Sequence, residues 1–153
     1  MSRAIASLFG VGFLHPGPGT WGSAAALLPG ALLLAFTGPL AVAAGAVLLA
    51  AIGWWAVARE LEHTGEPDPV WIVIDEAAGM WLTLAGLPAF GWAGTAAAFA
   101  LFRLLDIAKP GPVGWADRQG GATGVMLDDV IAGALAALML AALALVLPTE
   151  WFP

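Results

Sequence analysis

The chain contains no cysteine, and its 153 residues include only two histidines and five basic residues. Without cysteine, disulfides, thiolate metal sites and a cysteine nucleophile are excluded. His15 and His63 have no sequence partner, which argues against a histidine zinc site or a Ser-His-Asp triad. A net charge of −6 argues against a nucleic-acid partner, whose phosphates require a basic surface. Charge of either sign is scarce: 10% of residues are charged and 61% are hydrophobic. A soluble domain carries about 25% charged residues, so the composition points to a bilayer.

The length suits a single domain over residues 1–153. Arg3 followed by a short apolar run resembles the start of a signal peptide. More hydrophobic chain follows instead of a polar mature domain, so Met1–Leu14 reads as an interfacial helix. His15–Ser23 is a turn-rich entry to an apolar stretch that reaches Phe36. Thr20 or Ser23 could cap that helix, and Pro29 lies inside it. Pro39–Ala58 is an uncharged run of spanning length, with Trp54, Trp55 and Arg59 marking its interfacial end. Arg59–Pro69 reads as a solvated polar loop holding Glu60, Glu62, His63, Glu66 and Asp68. Apolar segments then run from Val70 to Leu87 and from Ala89 to Phe102. Lys109–Thr123 reads as a Gly/Pro-rich loop, and Val130–Leu147 as the last apolar run.

These features predict an all-α fold, a polytopic membrane bundle of about five apolar helices with the charged residues gathered at one face. Threaded as antiparallel neighbours, the segments put every charged residue except Glu150 at or near one membrane face. The far-side turns at Gly38–Pro39 and Pro88 carry no charge. By the positive-inside rule the charged face is cytoplasmic.

At that face the threading gathers Asp75, Glu76, Asp106, Asp128 and Asp129. One carboxylate in a membrane helix costs about 2.5–3.5 kcal/mol on insertion scales, and clustered ones also repel. A divalent cation relieves both costs, and Mg²⁺ prefers carboxylate oxygens together with a substrate phosphate. Arg103, one turn before Asp106, and Lys109, just before Pro110, are then available for an anion, with Arg118 a further candidate. Carboxylates for a metal beside bases for phosphate suit metal-assisted phosphoryl chemistry. Simpler readings exist for each group alone. Arg103 and Asp106 could be a helix-face ion pair, and Asp128–Asp129 could cap a helix. Asp75 and Glu76 lie away from a helix end and fit such readings less well. The Gly-rich segment around Thr20, Gly22 and Ser23 could bind phosphate through free backbone N–H groups or be an ordinary cap. Gly79, Ala132 and Gly133 read as small residues at helix contacts.

Four blocks carry a family resemblance: Pro18–Ser23 (PGTWGS), Asp75–Gly79 (DEAAG), Phe102–Pro110 (FRLLDIAKP) and Asp128–Gly133 (DDVIAG). In this order they resemble the signature blocks of the phosphatidylglycerophosphatase A family. The resemblance implies a Mg²⁺-dependent phosphatase of the bacterial inner membrane. Its substrate would be phosphatidylglycerophosphate, converted to phosphatidylglycerol and inorganic phosphate. The matching positions imply Asp75, Glu76, Asp106, Asp128 and Asp129 as catalytic and metal-binding residues, with Arg103, Lys109, Thr20 and Ser23 on the phosphate.

Neither a phosphohistidine mechanism nor an aspartyl phosphate at an Asp-x-Asp-x-Thr start has its residues here. Metal-assisted attack by water is therefore expected. The competing class is an ion-coupled transporter or channel, which also uses intramembrane acids but wants them near the midplane with access from both sides.

Overall fold

A computed structural model describes residues 1–146, all of whose regular structure is helical. The helices are α1 (Ser2–Ala6), α2 (Pro18–Thr37), α3 (Pro39–Thr64), α4 (Ile74–Leu84), α5 (Trp92–Ala108), α6 (Pro112–Asp117) and α7 (Gly121–Val146). A 3₁₀ turn, Val11–Phe13, follows α1. The expected end of the last apolar run at Leu147, and the far-side Glu150, lie outside the described residues.

Five apolar helices, α2, α3, α4, α5 and α7, form the bundle. Three of them (α2, α3 and α7) are long and apolar enough to cross a membrane. The 11-residue α4 extends only about 16 Å, half of a hydrocarbon core of about 30 Å. It is the central helix, packed against α2, α3, α5 and α7, and every residue from Ile74 to Met80 is buried. The turn after it satisfies its own backbone: Gly86 N–H donates to Thr83 O and Leu87 N–H to Leu84 O. Such a turn is tolerated at membrane depth because protein encloses it. Leu87 is fully buried, and Gly86 lies so close to Ala137 of α7 that a Cβ would meet its carbonyl at 2.3 Å.

Small residues set the helix spacing. A Cβ on Gly133 would lie 2.4 Å from the carbonyl oxygen of Gly79, and one on Gly79 would lie 2.6 Å from that of Asp129. The α4–α7 crossing is therefore backbone on backbone, as expected for small residues in membrane helices. Gly30 of α2 and Gly45 of α3 make room for the Trp81 ring. The Trp81 indole N–H donates to Ala26 O at 2.9 Å, one residue from the carbonyl that Pro29 deprives of its usual donor.

Several boundaries differ from the sequence expectation. The N-terminal interfacial segment is a five-residue helix plus a 3₁₀ turn, pinned by Val73 N–H donating to Ala6 O. Helix α2 begins at Pro18, whose fixed φ suits a first helical position, so Thr20 and Ser23 lie inside the helix and do not cap it. Helix α3 runs on to Thr64, making Glu60, Glu62 and His63 helical, with Glu60 buried. The expected loop 109–123 contains α6. Helix α7 starts at Gly121, so Asp128 and Asp129 sit in its third turn and cannot be N-terminal caps.

Candidate active site

The starts of α2, α4 and α7 and the ends of α3 and α5 share one side of the bundle, because successive long segments alternate in direction. A cleft of about 410 Å³ opens there. Asp75 and Glu76 reach it from the first turn of α4, Asp106 from the last turn of α5, and Asp128 and Asp129 from α7. All five carboxylates are 3–9% exposed, so their charges are largely removed from water. Helix packing forces them together: the Gly79–Gly133 crossing lies about one helical turn beyond Glu76 and Asp129.

One oxygen each from Glu76, Asp106 and Asp129 can be chosen so that all three lie within 4.8 Å of one another. Three convergent carboxylates without sulfur or imidazole form a hard, all-oxygen donor set, the type that Mg²⁺ takes. Asp75 and Asp128 line the same cleft outside this triplet. Their roles match: Asp75 Oδ1 accepts the Glu76 N–H, and Asp128 Oδ1 accepts the Asp129 N–H, each at 2.9 Å.

The two bases are interleaved with the acids. Arg103 Nη1 lies 2.6 and 2.5 Å from the two Glu76 oxygens and 2.8 Å from Asp106 Oδ2. Its Nη2 donates to Thr20 Oγ1 at 3.3 Å. Arg103 Nε is buried and has no partner among the described residues. Lys109 ends α5 in a left-handed conformation, φ 45°, with Pro110 blocking any further helix. This costly conformation is consistent with the side chain being held in place by strong partners: Lys109 Nζ contacts Asp128 Oδ2 at 2.6 Å and also pairs with Asp117. Partial burial works against its charge, but the hydrogen bonds to Asp117 and Asp128 outweigh this and raise its pKa.

The expected phosphate-contacting residues of α2 hold other side chains. Ser23 is fully buried; its hydroxyl lies 2.6 Å from Glu76 Oε2 and 2.9 Å from Gly19 O. Gly19 is required by packing, since a Cβ there would lie 2.0 Å from Glu76 Oε1. The first turns of α2 thus form a cradle around the Glu76–Arg103 pair. Arg118 is exposed and does not line the cleft. Two acids that sequence reading left in loops do line it, Asp68 and Asp117. Neither has a local signal; Asp117 is brought to Lys109 by the turn of α6. Seven carboxylates and two bases line the cleft, an excess of negative charge that favours a cation.

The phosphatidylglycerophosphatase A family profile matches residues 4–144. The chain is 37% identical to phosphatidylglycerophosphatase A of Haemophilus influenzae over 136 residues, which cover 88% of this chain and 83% of that protein. It is 40% identical to phosphatidylglycerophosphatase A of Escherichia coli over 131 residues, 84% of this chain and 75% of that one. A Bacteroides thetaiotaomicron protein provisionally named phosphatidylinositol-3-phosphatase is 41% identical over 144 residues, 90% of this chain and 89% of its own. No solved structure matches the chain.

Proposed function

The chain belongs to the phosphatidylglycerophosphatase A family, and from that premise we propose that it hydrolyses phosphatidylglycerophosphate to phosphatidylglycerol and inorganic phosphate. It is a phosphatase acting on a phosphomonoester; the lipid and the metal are the finer parts of the reading. The observation that carries the reading is the convergence of Glu76, Asp106 and Asp129 beside Arg103 and Lys109 in one cleft.

Glu76, Asp106 and Asp129 would hold Mg²⁺, with Asp75 and Asp128 adding negative charge around them. When bound, Mg²⁺ supplies Lewis-acid polarisation of a phosphoryl oxygen. Arg103, which lines the cleft, binds and orients the phosphate through its planar guanidinium. Lys109 at the cleft rim meets the lipid head group as a point charge. A carboxylate of the cleft orients the attacking water for in-line displacement of the glycerol oxygen. Ser23 and Gly19 act through Glu76 and fix its position, while Thr20 holds Arg103.

The cleft opens at the charged end of the bundle, which by the positive-inside rule faces the cytoplasm of a bacterial inner membrane. This placement disfavours an ion-coupled transporter, because the acids lie at one end of their helices and, among the described residues, no charged path leads toward the other. The test is phosphate release from phosphatidylglycerophosphate and from phosphatidylinositol 3-phosphate in mixed micelles, with Mg²⁺ and with chelator. Release only from the first lipid and only with Mg²⁺ is expected. Preference for the inositol lipid, or full activity in chelator, would overturn the substrate or the metal assignment respectively.

A further inference from the structure

A second cavity, about 570 Å³, lies at the same end of the bundle and shares no residue with the cleft. Arg3 of α1 lines it, with Trp55, Arg59, Glu60 and His63 of α3. Arg103 and Lys109 are each paired with two acids, whereas Arg3 and Arg59 form no ion pair among the described residues. Arg3 is held in position all the same: its guanidinium lies 5.1 Å from the Trp71 ring and 5.5 Å from the Phe13 ring, and those two rings stack. Cation–π contacts fix the place of this charge without neutralising it. Glu60 is the one acid in the lining and is 4% exposed, while Arg59 and His63 face out.

Trp55 also walls a neighbouring groove of about 470 Å³, lined by Ala50, Ala51 and Trp54 of α3 and by Met126, Leu127 and Val130 of α7. Among the described residues, no charged side chain lines it. At 100° per residue, these α7 positions face roughly away from Gly124, Val125 and Asp128, which line the cleft. On α3, Leu48, Ile52, Trp55 and Arg59 form one exposed stripe that rises from the apolar surface to the arginine. A basic pocket above an apolar groove, with two tryptophans at the junction, matches a molecule with a negative head and an acyl tail.

We infer that α1, α3 and α7 bind an anionic phospholipid outside the catalytic cleft, its phosphate on Arg3 and Arg59 and an acyl chain in the Trp54–Trp55 groove. A zwitterionic lipid would bring its own ammonium beside the two arginines and gain less. The inference needs only the membrane setting and does not depend on the hydrolytic reading.

The full chain, reconstituted in phosphatidylcholine nanodiscs, tests it with a small fraction of lipid brominated on its acyl chains. The brominated lipid carries either a phosphatidylglycerol or a phosphatidylcholine head group, and bromine quenches indole fluorescence on contact. The anionic lipid is expected to quench more. That excess should fall about fivefold for each arginine lost in Arg3→Gln and Arg59→Gln. It should survive Arg59→Lys and vanish when Trp54 and Trp55 are both replaced by Phe. If Arg3→Gln fails to fold, as circular dichroism would reveal, exposed Arg59→Gln carries the test alone. Equal quenching by the two lipids overturns the inference. So does an excess that survives loss of the arginines, which would place the anionic lipid in the cleft or elsewhere, or one that survives loss of both tryptophans.

Discussion

Arg103 reaches across from α5 to Glu76 on α4, its Nη1 2.5 Å from Glu76 Oε2 and 2.6 Å from Oε1. The residue expected to hold a phosphate is thus joined to one expected to hold a metal. Arg103→Lys keeps the charge, yet one ammonium cannot reproduce both the Nη1 contact to Glu76 and the Nη2 contact to Thr20. A loss of roughly 10²–10³-fold in kcat is expected, as for removal of one preorganised transition-state donor, with a smaller change in KM. Steady-state kinetics in mixed micelles at fixed surface fraction of substrate measures both. A kinetically silent variant would reduce Arg103 to a structural partner of Glu76 and Asp106.

The cradle on α2 yields graded substitutions at two positions. Gly19→Ala places a methyl 2.0 Å from Glu76 Oε1, so the carboxylate must move. Overpacking of this kind costs about 1–3 kcal/mol, and kcat should fall at least as far as it does for Ser23→Ala. Ser23→Ala removes the hydroxyl 2.6 Å from Glu76 Oε2 and should cost about 1–3 kcal/mol, with a lower kcat and KM little changed. Ser23→Thr, which retains the hydroxyl, should restore part of the rate. Loss of KM alone in Ser23→Ala would show that the serine contacts substrate directly.

Asp128 and Asp129 are neighbours in sequence with different surroundings. Asp129 belongs to the carboxylate triplet, and Asp128 bonds Lys109. Asp129→Asn is expected to weaken Mn²⁺ binding, read by electron paramagnetic resonance without substrate, and to lower kcat by orders of magnitude. Asp128→Asn should affect metal binding less and resemble Lys109→Ala, which chiefly raises KM with an effect that shrinks as salt rises. Equal losses of Mn²⁺ affinity in the two aspartate variants would mean that both are ligands.

The Gly79–Gly133 crossing is expected to be unforgiving. A Cβ on Gly133 meets the Gly79 carbonyl at 2.4 Å, and backbone cannot rotate aside as a side chain would. Gly133→Ala should lower the thermal midpoint in detergent and weaken Mn²⁺ binding together, because the same crossing brings Glu76 and Asp129 into one site. Reduced stability with intact metal binding would show that the triplet does not depend on this contact.

Topology can be read with single cysteines, since the natural chain has none. A cysteine at exposed Glu66 is expected to react in intact cells only with a membrane-permeant reagent, and one at exposed Thr37 or Pro88 with an impermeant one. The reverse pattern would put the cleft on the outer face.

Much of the architecture is written in composition and in where charge interrupts it. Long apolar runs in α2, α3 and α7 must become helices in lipid, because no other open structure satisfies its own backbone there. The five acids and Arg103 stand out because a charge in such a chain is costly unless used, and alternation of the helices then sends them to one end. Helix boundaries were less legible. Pro18 starts α2 before its polar residues, and Gly121 starts α7 ahead of Asp128, since residues that look like loop when met singly can still propagate a helix that tertiary packing supports.

What the sequence by itself determined was the class of fold, the end of the bundle at which the charged residues gather and the residue types present there. Only the tertiary structure decided how those residues are shared. It separated Glu76, Asp106 and Asp129 from Asp75 and Asp128, turned Ser23 toward Glu76, and recruited Asp68 and Asp117 from segments without a motif. The reason is distance. Helical spacing fixes which residues share a face, but which faces meet is set by the Gly79–Gly133 contact and by the short α4, where backbones approach to within a Cβ of one another.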